Sequence, residues 1–253
     1  MKHAAGAIVI LTVSVAASAA SAWAQASVVQ QNNSSVNREG SSVTVTNRSV
    51  TVETSGNADR IVGDGQPASQ TRPIGPVSAV NADGAFTVTV KNGPVPGLVV
   101  ETDKNLLPIV KTDVSAGRLD IYTDRSYSVD GRIAVTVTSP NVTEIRASGS
   151  NQITGEGLSG ENFSISLSGS NNAVLAGNVS NLTAQLSGAN RLSAQQLNAG
   201  AAVVKLNGSG TAAVTARQRI AAEISGAGTI SVSGNPKERS TEVNGAGKIR
   251  FVE

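Results

Sequence analysis

Cysteine is absent from this 253-residue chain, and past position 23 so are histidine, tryptophan and methionine. Without thiols no disulfide can staple the fold. Without imidazole as well, the usual ligands of zinc are missing. No histidine base serves the many serines, so a Ser-His-Asp site fails at its first requirement. Aromatic residues make up only 2% of the chain, and 20 basic residues face 18 acidic ones. A stacking platform on a polybasic surface, the footprint of nucleic-acid binding, is therefore not expected. No aspartate follows Asp130 and no proline falls between Pro140 and Pro236. Late glutamates are scattered, which argues against the paired carboxylates of a polysaccharide hydrolase. An unbroken absence of proline suits continuous β-ladders.

What is present is a repeat. Small polar tetrapeptides begin at Ser148, Ser168, Ser187, Asn207, Ser225 and Asn244, reading SGSN, SGSN, SGAN, NGSG, SGAG and NGAG. Their starts are 20, 19, 20, 18 and 19 residues apart. A fixed period of this size marks stacked supersecondary units. Before each tetrapeptide apolar residues alternate with polar ones: Phe163/Ile165/Leu167, Leu182/Ala184/Leu186, Ala202/Val204/Leu206 and Ile220/Ala222/Ile224. Alternation resumes after it, in Ala173/Leu175, Leu192/Ala194, Ala212/Val214, Ile230/Val232 and Ile249/Phe251. Period two indicates half-buried strands. Each repeat therefore reads as strand, sharp corner, strand and looser return, with an aliphatic interior.

These units predict an all-β chain: a parallel β-solenoid, or β-helix, with coils of about twenty residues and an irregular N-terminal β cap. Coils stacked at about 4.8 Å make a rod on the order of 30 Å long. The fourth corner position then forms a ladder of Asn151, Asn171 and Asn190 that passes into Gly210, Gly228 and Gly247. Stacked amides bond to their copies above and below. The ladder has two readings, a repetitive binding surface or internal corner chemistry.

Both ends differ from the repeats. Lys2 and His3 precede an apolar run from Ile8 to Val15, and Ala22-Trp23-Ala24 supplies an A-x-A cleavage site. Residues 1–24 thus read as a signal peptide cleaved near Ala24/Gln25, with no cysteine for a lipid anchor. Residues 25–75 are polar and then rich in Gly and Pro. They read as a low-order arm and linker, with a β-hairpin at 41–54 around Thr46-Asn47-Arg48-Ser49. Residues 76–253 read as the solenoid domain, with irregular coils at 76–146 and regular repeats at 147–253. In the irregular coils, runs at 85–90, 97–101, 118–123 and 131–138 read as strands that lack the tetrapeptide.

Remaining motifs resolve as structure. Gly208-Ser209-Gly210 precedes strand residues and not the helix a dinucleotide loop requires. Asp113, Asp120, Asp124 and Asp130 are spaced as solvated loop charge, unlike a dedicated calcium loop. No cofactor and no metal site are expected.

From Arg72 onward the chain resembles the auto-transporter adhesin head GIN domain family. The matching residues are Phe86 with TVTV after it, Asn105-Leu106-Leu107-Pro108, Gly117-Arg118-Leu119-Asp120-Ile121, Ile133 to Val137, Pro140 and the serial corners. The resemblance covers residues 72–253 and implies a β-solenoid-like domain with an adhesive role and no catalytic residues. The reading is a non-enzymatic exported interaction module, in the periplasm or at the cell surface. Its partners would be envelope or extracellular proteins or glycans, met through Asn151, Asn171 and Asn190 or by strand addition. No nucleic acid and no membrane-integral segment are expected after cleavage. The alternative is a self-associating envelope component that forms homo-oligomers, and an enzyme acting on polysaccharide is more distant. Processed material is expected to begin at Gln25. N-terminal sequencing of the exported chain checks this, and a retained Met1 would overturn the leader assignment.

Overall fold

A computed structural model describes residues 60–252, together with the backbone of three strands within residues 34–54. The predicted leader and the remainder of the first 59 residues lie outside the described residues. The chain divides into two units, Met1–Asp59 and Arg60–Glu253. In the first, β1 (Ser34–Arg38), β2 (Ser41–Thr46) and β3 (Ser49–Thr54) form an antiparallel sheet. Val43 lies opposite Val52 and Val45 opposite Val50.

The second unit is a stack of coils of parallel strands, a β-solenoid of about 5 turns. Its irregular portion contains β4 (Ile61–Val62), β5 (Pro67–Arg72), β6 (Ala79–Gly84), β7 (Phe86–Asn92) and β8 (Gly97–Asp103). A single 3-10 turn (Leu107–Ile109) follows, then β9 (Val110–Ser115), β10 (Arg118–Thr123), β11 (Tyr127–Ser128) and β12 (Ile133–Ser139). β13 (Glu144–Gly149) leads into four long strands that each wrap most of a coil: β14 (Gln152–Gly169), β15 (Asn172–Gly188), β16 (Arg191–Gly208) and β17 (Thr211–Gly226). β18 (Thr229–Ser233), β19 (Glu238–Gly245) and β20 (Lys248–Phe251) complete the stack.

Register follows the repeat. Leu167 pairs with Leu186, Leu186 with Leu206 and Leu206 with Ile224. All four are buried. The neighbouring inward column runs Ile165, Ala184, Val204, Ala222, and the next Phe163, Leu182, Ala202, Ile220. Where one column narrows to alanine another widens, so coils of equal circumference keep a filled interior. Each fully buried leucine or isoleucine contributes about 1.5–3 kcal/mol. The last inward pair departs from the pattern. Ile249 is half-buried and Phe251 exposed, because among the described residues β20 pairs on one side only, with β18.

The cap is ordered differently from the chain. β6 pairs in parallel with β10 on one side and β13 on the other. β7 lies likewise between β12 and β14. The coil at residues 79–92 is therefore sandwiched between one at 118–139 and one that begins at Glu144. It also carries a corner that the sequence reading did not assign. Gly84 pairs with Gly149, so Asp83-Gly84-Ala85-Phe86 is the counterpart of Ser148-Gly149-Ser150-Asn151. Phe86 stands in the asparagine position and fills the interior.

β5, β8 and β9 run antiparallel to their partners and close this end. The stretch read as linker up to residue 75 is thus corrected, since Ile61–Val62 and Pro67–Arg72 are strands. Pro67 is tolerated as a first strand residue. Arg72 explains the order that follows. Its guanidinium donates to the Val110 carbonyl (2.7 Å), Thr112 Oγ1 (2.8 Å) and the Leu107 carbonyl (3.0 Å). Partial burial lowers its pKa, without threatening its charge at neutral pH.

Leu186→Asp is expected to abolish cooperative unfolding of the rod, because an unpaired carboxylate would sit between two coils. Circular dichroism during heating checks this. A soluble, cooperatively melting variant would place Leu186 outside the core.

Candidate functional site

The corners build one edge of the rod. Gly188 shows why glycine recurs there: its φ is 100°, and a β-carbon would lie 2.5 Å from the Gly169 carbonyl oxygen. Positive φ and close approach of coils both forbid a side chain. The asparagines two positions on turn inward and are 1–2% exposed. Asn171 Oδ1 accepts from the Asn151 backbone N–H (2.8 Å) and from Asn151 Nδ2 (2.9 Å). Asn190 Oδ1 accepts the same pair from Asn171, at 2.9 Å each. Asn151 Oδ1 takes the Phe86 N–H at 3.0 Å, which carries the ladder into the cap. Each Nδ2 also donates to the carbonyl three residues earlier, at 2.6–2.7 Å. Asn151, Asn171 and Asn190 are thus brought together as expected, but inside the corner, with their amides bonded within the protein. A ligand outside meets other side chains.

Those side chains belong to two outward columns on the neighbouring face. One runs Asn81, Arg146, Ser166, Gln185 and Lys205, the other Asp83, Ser148, Ser168, Ser187 and Asn207. Between them lies an open groove of about 360 Å³ lined by residues of both columns, from Asn81 to Asn207. Its floor is the backbone around Ala147, Leu167 and Leu186. Ser168, Gln185, Ser187 and Asn207 face solvent. Parallel pairing repeats these groups about every 4.8 Å along the rod.

One end of the groove is ionic. Arg146 bonds Glu144 through both Nε and Nη2 (2.8 Å each). Asn81 Nδ2 donates to Asp120 (2.9 Å), and Ser148 Oγ to Asp83 (2.7 Å). These contacts hold the donors in fixed directions. Arg146, Asn81 and Gln185 were not singled out from sequence. Their signal was available, since Arg146, Ser166, Gln185 and Lys205 each precede a corner by two residues and share its outward parity.

Among the described residues no three His, Cys, Asp or Glu side chains group as a metal site. Glu223 and Glu242 are register neighbours, but Glu223 pairs with Lys205 at 3.0 Å and neither residue lines the groove. Tyr122 donates to Asp113 at 2.8 Å, and that bond with its negative charge raises the phenol pKa. Burial raises that of Tyr127. Both phenols therefore stay protonated at neutral pH.

Residues 77–236 match the family described as "Putative auto-transporter adhesin, head GIN domain". The chain belongs to this family. The head GIN domain fold also recurs in solved structures. A "putative adhesin" from Bacteroides fragilis NCTC 9343 aligns with TM-score 0.60 and 19% identity over 76% of this chain and 100% of its own. Another, from Parabacteroides merdae ATCC 43184, aligns with TM-score 0.52 and 19% identity over 78% and 100%. A "putative lipid binding protein" from Parabacteroides distasonis ATCC 8503 gives 0.51 and 22% over 77% and 100%. At these identities the likeness is one of fold. No curated protein matches the chain.

Asn171→Ala is expected to lower thermal stability, since the buried donors it leaves unpaired cost about 1–3 kcal/mol each. A melting curve checks this. An unchanged midpoint would show that the ladder does not hold the corner.

Proposed function

We propose that the chain is an exported, non-enzymatic interaction module whose groove binds glycan strands of the envelope or the extracellular surface. The observation that carries this reading is the paired outward columns. They present hydroxyls, amides and one guanidinium at a regular spacing on a rigid sheet, open to an extended ligand. Hydroxyl-rich chains repeat their own donors and acceptors, so several weak bonds form at once, and rigid mounting limits the ordering cost. Membership of an adhesin-described family and the leader-like first 24 residues support an exported binding role. No helix among the described residues is long and apolar enough to cross a membrane. The buried asparagine ladder belongs, on this reading, to the scaffold and not to the contact surface.

The test separates surface from scaffold. In a glycan array followed by titration with purified envelope glycan, the double change Arg146→Ala/Gln185→Ala is expected to weaken binding at least about tenfold, as loss of about 1.4 kcal/mol would. Its melting temperature is expected to stay near that of the unaltered chain. Asn171→Ala is expected to behave in the opposite way. Groove variants that bind like the unaltered chain would overturn the assignment.

A further inference from the structure

The two ends of the rod are finished differently. Antiparallel strands close the cap, whereas β19 and β20 pair on one side only among the described residues, with β17 and β18. Their outer edges therefore offer free backbone donors and acceptors. The side chains at this end are partly apolar. Val243 and Phe251 are 41% and 38% exposed, although they continue the buried columns of Ile224 and Val232. Arg239 lies over Phe251, its guanidinium 4.2 Å from the ring centre.

Charge at the outward positions differs between the two strands: β19 presents Glu238 and Glu242 there, while its Arg239 continues the inward column of Ile220 and covers Phe251. β19 carries Glu242 beside Glu223 of the previous coil, and like charges on adjacent strands repel. β20 carries Lys248 and Arg250. Among the described residues Glu242, Lys248 and Arg250 form no ion pair.

We propose that two copies of the chain join end to end here, about a two-fold axis through the corner Asn244–Gly247. β19 runs toward that corner and β20 away from it. Rotation about an axis through the corner lays β19 antiparallel on the partner's β20, and β20 on the partner's β19. Apolar columns continue only if inward residues meet, and these are odd-numbered on both strands. Setting Val243 against the partner's Ile249 satisfies this and places Thr241 against the partner's Phe251. The same register sets Glu242 against the partner's Arg250 and Asn244 against the partner's Lys248, each contact occurring twice. Ala246 then falls on the axis. The closed cap offers no comparable edge, so the assembly stops at two copies instead of growing as a filament.

One coil's cross-section is small beside the roughly 800 Å² per partner of standard interfaces. The dimer is therefore concentration-dependent, with a dissociation constant on the order of micromolar. Light scattering and sedimentation of the whole chain between about 1 and 100 µM read it directly. Glu242→Arg and Arg250→Glu are each expected to raise the dissociation constant at least about tenfold, and their combination to restore it to within about threefold. Ala246→Cys, in a chain with no other cysteine, is expected to give a reducible disulfide dimer, because the bridge needs Cα atoms about 4.4–6.8 Å apart. A chain that stays monomeric throughout the range overturns the proposal. So do single charge reversals that dimerise unchanged, which would place the contact elsewhere, and a cysteine that remains a free thiol. Edge charges can also serve to keep sheets apart. In that case the unaltered chain is the monomer and the first result decides. Groove binding to glycan is read separately and does not depend on this outcome.

Discussion

Backbone hydrogen bonding between successive coils is the constraint to which the rest of the structure answers. Parallel pairing in register lets each coil differ from the last by only a residue or two in length, and bulges absorb the difference, as between Gly155 and Leu158. Inward side chains must then stack in columns, which forces the exchange of large for small residues along them. Corners must turn within a few residues while adjacent backbones nearly touch, which requires glycine at one position, and in three of them a bonded asparagine satisfies the turn from another. Polar groups that do not serve the interior are left to the outer face. The polar outer face is a by-product of the same alternation that builds the core.

The regular coils of this design were legible because their signals are local. Phe163/Ile165/Leu167 and its copies announce a strand face, and the tetrapeptides announce where the face turns. From these follow the architecture and the stacking of Asn151, Asn171 and Asn190. Their inward direction was not decided by spacing, since a corner residue points in or out according to backbone geometry that alternation does not record. The cap was less legible because its pairings join distant segments. Nothing near Asp83-Gly84-Ala85-Phe86 announces Gly149 as its neighbour, and phenylalanine in place of asparagine conceals the kinship. Residues 61–72 look like linker because the partners that order them, around Leu107, Val110 and Thr112, lie far along the chain. The groove needed both kinds of information. Parity marks Arg146 and Gln185 as outward, but only the sandwiched coil brings Asn81 beside them.

Interior packing and the proposed glycan contacts fall to different atoms of the same repeats. Removing a side chain from an inward column affects two coil interfaces at once. Changing an outward residue alters one position in a row of similar groups, so the outer face tolerates variation that the interior does not. This division fits a fold that solved structures share with this chain at about a fifth identity.

The coil at residues 79–92 occupies a place in the stack that its chain position does not suggest. A chain leaving a membrane pore N-terminus first would release that coil early, yet one of its two neighbours begins only at Glu144. The early segment must wait with one edge unsatisfied until about fifty further residues have emerged. Folding from the N-terminal side is therefore not a simple zipper, because long-range pairing comes before the repeats can propagate. Once formed, the arrangement acts as a clasp. Tension on the N-terminal side must pull apart both of that coil's ladders at once, while the rod can fray one coil at a time from its other end.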